Sequence, residues 1–187
     1  MRVRLVGSGS LAAYADGIRQ VYAETFSAPP WNEDPSAAAQ YAERLASDAG
    51  RPGFTAALAL DGGTVSGFAT AWTTPAPFPS GRSYGHVAEA LGPDRTAAWL
   101  CGGVEVDELA VAPAARGTGL GAALLSAVTE AAPAGRCWLL TSAHAEATLR
   151  FYRRAGWHRV PVPVPGRAGL VVLLGPVHPG AASAARG

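Results

Sequence analysis

Between Val104 and Ala131 the chain reads V-E-V-D-E-L-A-V-A-P-A-A-R-G-T-G-L-G-A-A-L-L-S-A-V-T-E-A. Three carboxylates, Glu105, Asp107 and Glu108, stand there among β-branched and aliphatic residues. A carboxylate held in apolar surroundings is a proton acceptor in waiting. A few residues on, Gly117, Gly119 and Gly121 punctuate a turn that opens onto Leu120, Leu124, Leu125 and Val128 at helical spacing. A strand that feeds a glycine-rich turn into a helix forms an anion site, because the first N–H groups of the helix have no partner within it. The open questions are which phosphate compound sits there and what chemistry the neighbouring carboxylates perform on it. By strand alternation Glu105 and Asp107 share one face and Glu108 points to the other. A bulge would break that phase, so the facing of all three stays open.

Two nucleotide-site readings can be tested on the same residues. Gly117-Thr118-Gly119-Leu120-Gly121-Ala122 matches the dinucleotide pattern G-x-G-x-x-A. That pattern follows its strand directly and has an acidic residue closing the next strand. Here A-P-A-A-R intervenes, and the next strand runs out in T-S-A-H, so a Rossmann-type oxidoreductase is the lesser alternative. A Walker loop is excluded, since the chain has no lysine: all 15 basic residues are arginine. The same absence removes Schiff-base chemistry. A formal net charge of +1 gives no reason to expect nucleic acid or an anionic membrane as partner. Cys101 and Cys137 have no metal-ligand or disulfide-framework spacing and read as reduced thiols. The N-terminus lacks a signal-peptide apolar run, and no stretch approaches the roughly 18 apolar residues of a membrane span. The expected location is cytoplasmic.

These residues need elements to position them. At 187 residues one domain is expected, over 1–175, with a disordered Gly/Ala/Ser-rich tail over 176–187. Arg2 to Val6 reads as a strand and Ser10 as the cap of a helix carrying Leu11, Tyr14, Ile18, Val21, Tyr22 and Phe26. Pro29-Pro30 ends that helix, and Asp34-Pro35 starts another that runs to about Ser47. Trp31 between them is either a hydrophobic staple or a wall of a substrate cleft. Strands over 54–60 and 64–73 flank the Asp61-Gly62-Gly63 hairpin turn. An irregular insertion over about 74–100 carries Phe78, Tyr84, His86 and Trp99. It reads as a binding loop or as a peripheral lobe with its own aromatic cluster, containing short helices over 86–91 and 94–100. Beyond the glycine turn follow a central strand over 136–141, a helix over 145–155 and a final strand pair over 157–162 and 169–174. The order β-α-α-β-β-insertion-β-α-β-α-β-β predicts an α+β fold, a mixed, largely antiparallel central sheet flanked by helices.

The segment L-A-V-A-P-A-A-R-G-T-G-L-G-A-A-L-L resembles the acetyl-CoA pyrophosphate signature of the GNAT superfamily of N-acetyltransferases, whose core is Arg/Gln-x-x-Gly-x-Gly/Ala. Arg116, Gly119 and Gly121 occupy those positions. A second block, R-F-Y-R-R-A-G-W over 150–157, resembles the last-helix motif, in which a tyrosine stands four residues before a glycine and an aromatic. The element order is the family's too, so the resemblance covers nearly the whole chain and implies a GNAT-like acyl-CoA N-acyltransferase fold.

The resemblance implies acetyl-CoA as co-substrate, with no metal, and a primary amine as acceptor. The backbone of Leu109, Ala110 and Val111 would pair with the pantetheine arm where the strand splays from its neighbour. Arg116, Gly117, Thr118, Gly119, Leu120 and Gly121 would hold the pyrophosphate, and Phe151 would lie beside the cofactor. Glu105 stands where family members carry a general base, and the three strand carboxylates stay candidates for that base in the order Glu105, Asp107, Glu108; Tyr152 matches the tyrosine that protonates the departing thiolate. One position departs: where the family often has a cofactor-binding asparagine, seven residues before the tyrosine, this chain has Ala145, with His144 and Ser142 close by. The expected activity is direct acetyl transfer, with a small-molecule amine favoured over a protein. The main alternative is a non-catalytic acyl-CoA-binding sensor. An edge strand near the C-terminus makes a homodimer an open expectation.

Overall fold

The computed structural model describes residues 2–81, 83–162 and 169–184. Seven strands form one mixed, mostly antiparallel sheet flanked by helices, the α+β class expected. In chain order they are β1 (Arg2–Val6), β2 (Thr55–Asp61), β3 (Thr64–Thr73), β4 (Val104–Val111), β5 (Cys137–Ser142), β6 (His158–Arg159) and β7 (Leu170–Leu174), and the sheet order is β1-β2-β3-β4-β5-β7-β6. The helices are α1 (Ser8–Leu11), α2 (Ala15–Phe26), α3 (Ala37–Asp48), α4 (Tyr84–Leu91), α5 (Pro93–Arg95), α6 (Leu120–Thr129), α7 (Glu146–Arg154) and α8 (Ala181–Ala184). No helix among the described residues is long and apolar enough to cross a membrane. The chain divides into two compact units, one of Met1–Trp72 with Val106–Glu130, the other of Thr73–Glu105 with Ala131–Gly187.

In the first unit, β1, β2 and β3 form an antiparallel meander. The β2–β3 turn is Gly62-Gly63, with φ of 56° and 97°, the left-handed pair that a two-residue hairpin demands and glycine supplies without strain. α2 buries Ile18, Val21, Tyr22 and Phe26, and α3 buries Ala38, Tyr41 and Leu45. These faces meet in a stacked pair, Tyr22 on Tyr41 at 4.4 Å between ring centroids. Trp31 packs edge-on to Phe26 at 5.5 Å, so its place is the staple.

Three local expectations change. The single helix expected after β1 is two, α1 and α2, joined by a 3₁₀ turn over Ala12–Tyr14. Ser10 lies inside α1 rather than capping it: its N–H bonds the Gly7 carbonyl at 3.0 Å, so the turn starts earlier than the hydroxyl would dictate. α3 begins at Ala37, because the Asp34 carboxylate accepts the Ser36 N–H at 2.8 Å and holds that stretch in a turn before the helix.

In the second unit the insertion is neither a lid nor a peripheral lobe. Its residues Tyr84, Val87, Leu91 and Leu100 share one buried cluster with Trp138, Val160, Val172 and Leu174. Each such side chain contributes about 1.5–3 kcal/mol by leaving water, so the segment stays down. Its base is clamped by Thr74: the Thr74 N–H donates to the Gly103 carbonyl and its own carbonyl accepts from the Gly102 N–H, both at 2.8 Å. The Trp138 indole N–H donates to the Thr74 hydroxyl at 2.7 Å.

The final strand pair is shorter than expected. Among the described residues β6 is His158–Arg159 on β7, with one further bond from the Val160 N–H to the Val172 carbonyl at 3.0 Å, and most of the connecting V-P-V-P-G lies outside the described residues. Residues 176–184 are among those described and close in α8. His178 is buried, bonds the Trp99 carbonyl through Nε2 at 2.9 Å and accepts the Gly180 N–H on Nδ1 at 2.9 Å. Gly180 lies so close to the Trp99 ring that a Cβ there would sit 2.7 Å from it. Residues 185–187 of the expected tail lie outside the described residues.

Candidate active site

The first unit carries the whole glycine turn. β4 ends at Val111, a 3₁₀ turn over Pro113–Ala115 follows, and Arg116 is extended. Gly117 and Gly119 both have positive φ, 76° and 86°, and Gly119 is the N-cap of α6. The cap supplies no side-chain hydrogen bond, and the first bond inside the helix runs from the Ala123 N–H to the Gly119 carbonyl at 3.1 Å. The N–H groups of Leu120, Gly121 and Ala122 therefore precede the helical ladder, and they carry the positive end of the helix dipole. A Cβ on Gly117 or Gly119 would meet no atom within 4 Å. Glycine is required there by backbone conformation, and the space in front of the turn is open.

Two side chains brace this turn. Arg116 Nε donates to the Val111 carbonyl at 3.2 Å, and the Thr118 hydroxyl donates to the Ala115 carbonyl at 2.7 Å. The Thr118 proton, expected for a phosphate, is engaged inside the turn. Behind it, α6 and β4 approach closely over Gly67 of β3. A Cβ there would sit 3.0 Å from the Ala110 carbonyl oxygen and 3.1 Å from Leu124 Cδ1. Sequence reasoning missed Gly67, although a glycine inside a strand marks a close backbone approach.

Of the carboxylates, Asp107 and Glu108 lie in the first unit, half-buried. Glu108 sits 3.7 Å from Arg44 Nη2, and Arg44 in turn approaches Asp48, whose other carboxylate oxygen takes Arg51 Nε at 2.6 Å. Arg44 also lies over the Tyr41 ring at 5.1 Å. Burial first, then the negative charge of Glu108 and Asp107, push the Tyr41 phenol well above its usual range. Tyr22 is raised by burial, by Glu108 and by its hydrogen bond to Glu33. Both phenols are neutral donors rather than bases.

Glu105 and Tyr152 belong to the second unit. Glu105 is 7% exposed, and the Tyr84 hydroxyl lies 3.0 Å and 2.8 Å from its two carboxylate oxygens. From sequence Tyr84 reads as part of a binding loop or of a peripheral aromatic cluster; no sequence spacing links it to Glu105, 21 residues away. Tyr152, 7% exposed on α7, packs against Phe151 at 5.1 Å and Trp157 at 5.7 Å. At the start of α7, Ala145 is buried and supplies no side-chain cap. The Ser142 hydroxyl accepts the His144 N–H at 3.1 Å, so a side-chain oxygen does stand in the turn where the amide is missing. A cavity of about 450 Å³ opens along α7 beside Leu149, Arg150, Arg153 and Trp157, and none of the predicted site residues lines it.

The model of the acetyltransferase (GNAT) family matches residues 15–157, which include the strand, the glycine turn and the last helix. The chain belongs to that family. Among solved structures it is similar to a GNAT-family protein from Desulfovibrio desulfuricans, with a TM-score of 0.61 and 21% identity over 92% of this chain and 96% of that one. It is also similar to an acetyltransferase from Thermus thermophilus, with a TM-score of 0.62 and 15% identity over 93% and 96% of the two chains. A third is the PaiA N-acetyltransferase of Thermoplasma acidophilum, solved in complex with coenzyme A, with a TM-score of 0.57 and 12% identity over 94% and 99%. At these identities the likeness is one of fold. No curated protein matches the sequence. The family uses acetyl-CoA as co-substrate. Membership and the antiparallel meander together set aside the Rossmann alternative for this chain.

Proposed function

We propose that this GNAT protein transfers the acetyl group of acetyl-CoA directly to a primary amine, and that the acceptor is a small molecule. The observation that carries the reading is the uncapped N-terminus of α6 behind two left-handed glycines, opening onto clear space at the end of a strand that bears carboxylates. The pyrophosphate would take the N–H groups of Leu120 and Gly121 and those of the turn at Gly117, Thr118 and Gly119. Arg116, held on the Val111 carbonyl, adds positive charge at the rim. Leu109, Ala110 and Val111 offer backbone to the pantetheine arm, and Phe151 an apolar ring.

An amine attacks a thioester only when neutral. Glu105, or Asp107 two residues along the strand, takes its proton, directly or through a water. The amine nitrogen bonds the thioester carbon, the carbon–sulfur bond breaks, and Tyr152 returns a proton to the departing thiolate. A near-neutral chain offers little to attract a polycation or an acidic macromolecule, which supports a small amine with an apolar body.

The test is a thermal-shift comparison followed by turnover. Acetyl-CoA should raise Tm where NAD(H) does not, since selective binding to the native state stabilises it. Thiol release across a panel of small amines, peptides and lysine-bearing proteins then identifies the acceptor. Stabilisation by acetyl-CoA with no thiol release above background from any amine would establish the sensor instead.

A further inference from the structure

We propose that Tyr84 is a positioning residue of the acetyl transfer: its hydroxyl fixes the orientation and ionisation of the Glu105 carboxylate. The inference rests on the reading of Glu105 as the base, and it gives the 74–100 insertion a role in that site. The geometry is specific. One phenolic oxygen lies 3.0 Å and 2.8 Å from the two oxygens of a side chain that is 7% exposed. A phenol has one proton, so it donates to one carboxylate oxygen at a time, and its position on the bisector pins the rotation of the carboxyl group. Hydrogen bonding to the charged form favours that form, while burial opposes it. The phenolic donor therefore adds to the stability of the charged form of a carboxylate this deep.

Tyr84 is itself held. Its ring is buried, edge-on to Phe78 at 5.3 Å and tilted against Trp138 at 6.4 Å. Trp138 is anchored through its indole N–H on Thr74, at the clamped base of the insertion. A chain of fixed groups therefore runs from β5 through the insertion to the carboxylate. Other titratable groups on the elements that meet here are His86 and Glu89 on α4, Asp107 further along β4, and Cys101 with Arg136, whose guanidinium rests on the Cys101 carbonyl. Their charges bear on Glu105 equally in the native protein and in a Tyr84→Phe variant, so the variant isolates the phenolic hydroxyl.

The experiment is a carboxyl ¹³C titration of the full chain labelled at glutamate Cδ, with the Glu105 signal assigned by its loss in Glu105→Gln. Tyr84→Phe should raise the Glu105 midpoint by on the order of one pH unit, with the acid limb of the kcat/KM profile moving by the same amount and KM for acetyl-CoA unchanged. 3,5-Difluorotyrosine at position 84, a stronger donor of nearly the same shape, should move both the other way, and serves if the phenylalanine variant does not fold. An unchanged midpoint in both variants overturns the proposal. A midpoint that moves while the acid limb stays put overturns the catalytic role of the pair. If Glu105→Gln itself keeps turnover and the acid limb, Glu105 is not the base, and that failure is seen without reference to Tyr84.

Discussion

Arg44 holds its guanidinium 3.7 Å from the Glu108 carboxylate and 5.1 Å above the Tyr41 ring. This pairing gives Glu108 a partner in its own unit, while the Glu105 carboxylate accepts from the Tyr84 phenol. Three neighbouring carboxylates on one strand thus have different expected roles. Glu108→Gln should leave kcat unchanged and cost at most about 1 kcal/mol, because both partners are partly exposed and the pair is screened. Glu105→Gln should lower kcat by about 10²–10⁴-fold, the usual worth of a general base. Steady-state kinetics on the two variants, with Asp107→Asn alongside, ranks the three.

The glycine turn makes a second prediction. Gly119 sits at φ 86° as the cap of α6. An alanine there must adopt a left-handed conformation that costs about 1–2 kcal/mol. Gly119→Ala should raise KM for acetyl-CoA with little change in kcat at saturation. Gly119→Asn, which tolerates that conformation and suits a cap, should recover most of the loss. Equal damage from both would mean that clearance around the phosphate, rather than backbone conformation, governs the position.

Tyr152→Phe keeps the ring between Phe151 and Trp157 and removes one hydroxyl. If the phenol returns the proton to the thiolate, kcat falls by about 10²-fold while CoA binding, followed by thermal shift, is retained. The alkaline limb of the rate profile should flatten. A variant with native turnover assigns Tyr152 to packing alone.

His178 predicts a pH dependence of stability. Burial lowers its pKa below the ordinary 6.5, and its Nδ1 accepts the Gly180 N–H, which requires the neutral ring. The unfolded chain therefore binds a proton more readily than the native one. The contribution is fully present above about 6.5 and is lost as pH falls below that value toward the depressed native pKa. Urea midpoints should drop between pH 7.5 and 5.5, and His178→Gln should flatten that slope. A slope unchanged by the substitution would place the titration elsewhere.

Gly67→Ala tests the support behind the turn. Its Cβ would press on the Ala110 carbonyl at 3.0 Å, and a backbone oxygen cannot swing aside as a side chain does. A loss of about 1–3 kcal/mol is expected, in the range of overpacked cores, with KM for acetyl-CoA rising because Ala110 and Val111 shift. Chemical denaturation and kinetics on the same preparation read both.

Most of the fold was legible because each element carries its own period. Gly62-Gly63 suits a tight hairpin turn, Ile18, Val21, Tyr22 and Phe26 fall on one helical face, and Gly117, Gly119 and Gly121 mark the turn between a strand pattern and a helical one. These are local properties of backbone and spacing, and the sequence by itself determined them, the glycine turn included. Local competition between caps moved the boundaries: the Asp34 carboxylate delayed α3, and the Gly7 carbonyl started α1 early. The contact of His178 with Trp99 was hidden because the two stand 79 residues apart. The same physics hid the insertion. Its prolines and short helices read as a loop, since the partner that buries Tyr84, Val87 and Leu100 is a strand that follows much later in the chain. Which donor meets Glu105 and which cation meets Glu108 are long-range facts. Strand alternation can say only which way a carboxylate points, and tertiary packing alone decides what it finds there.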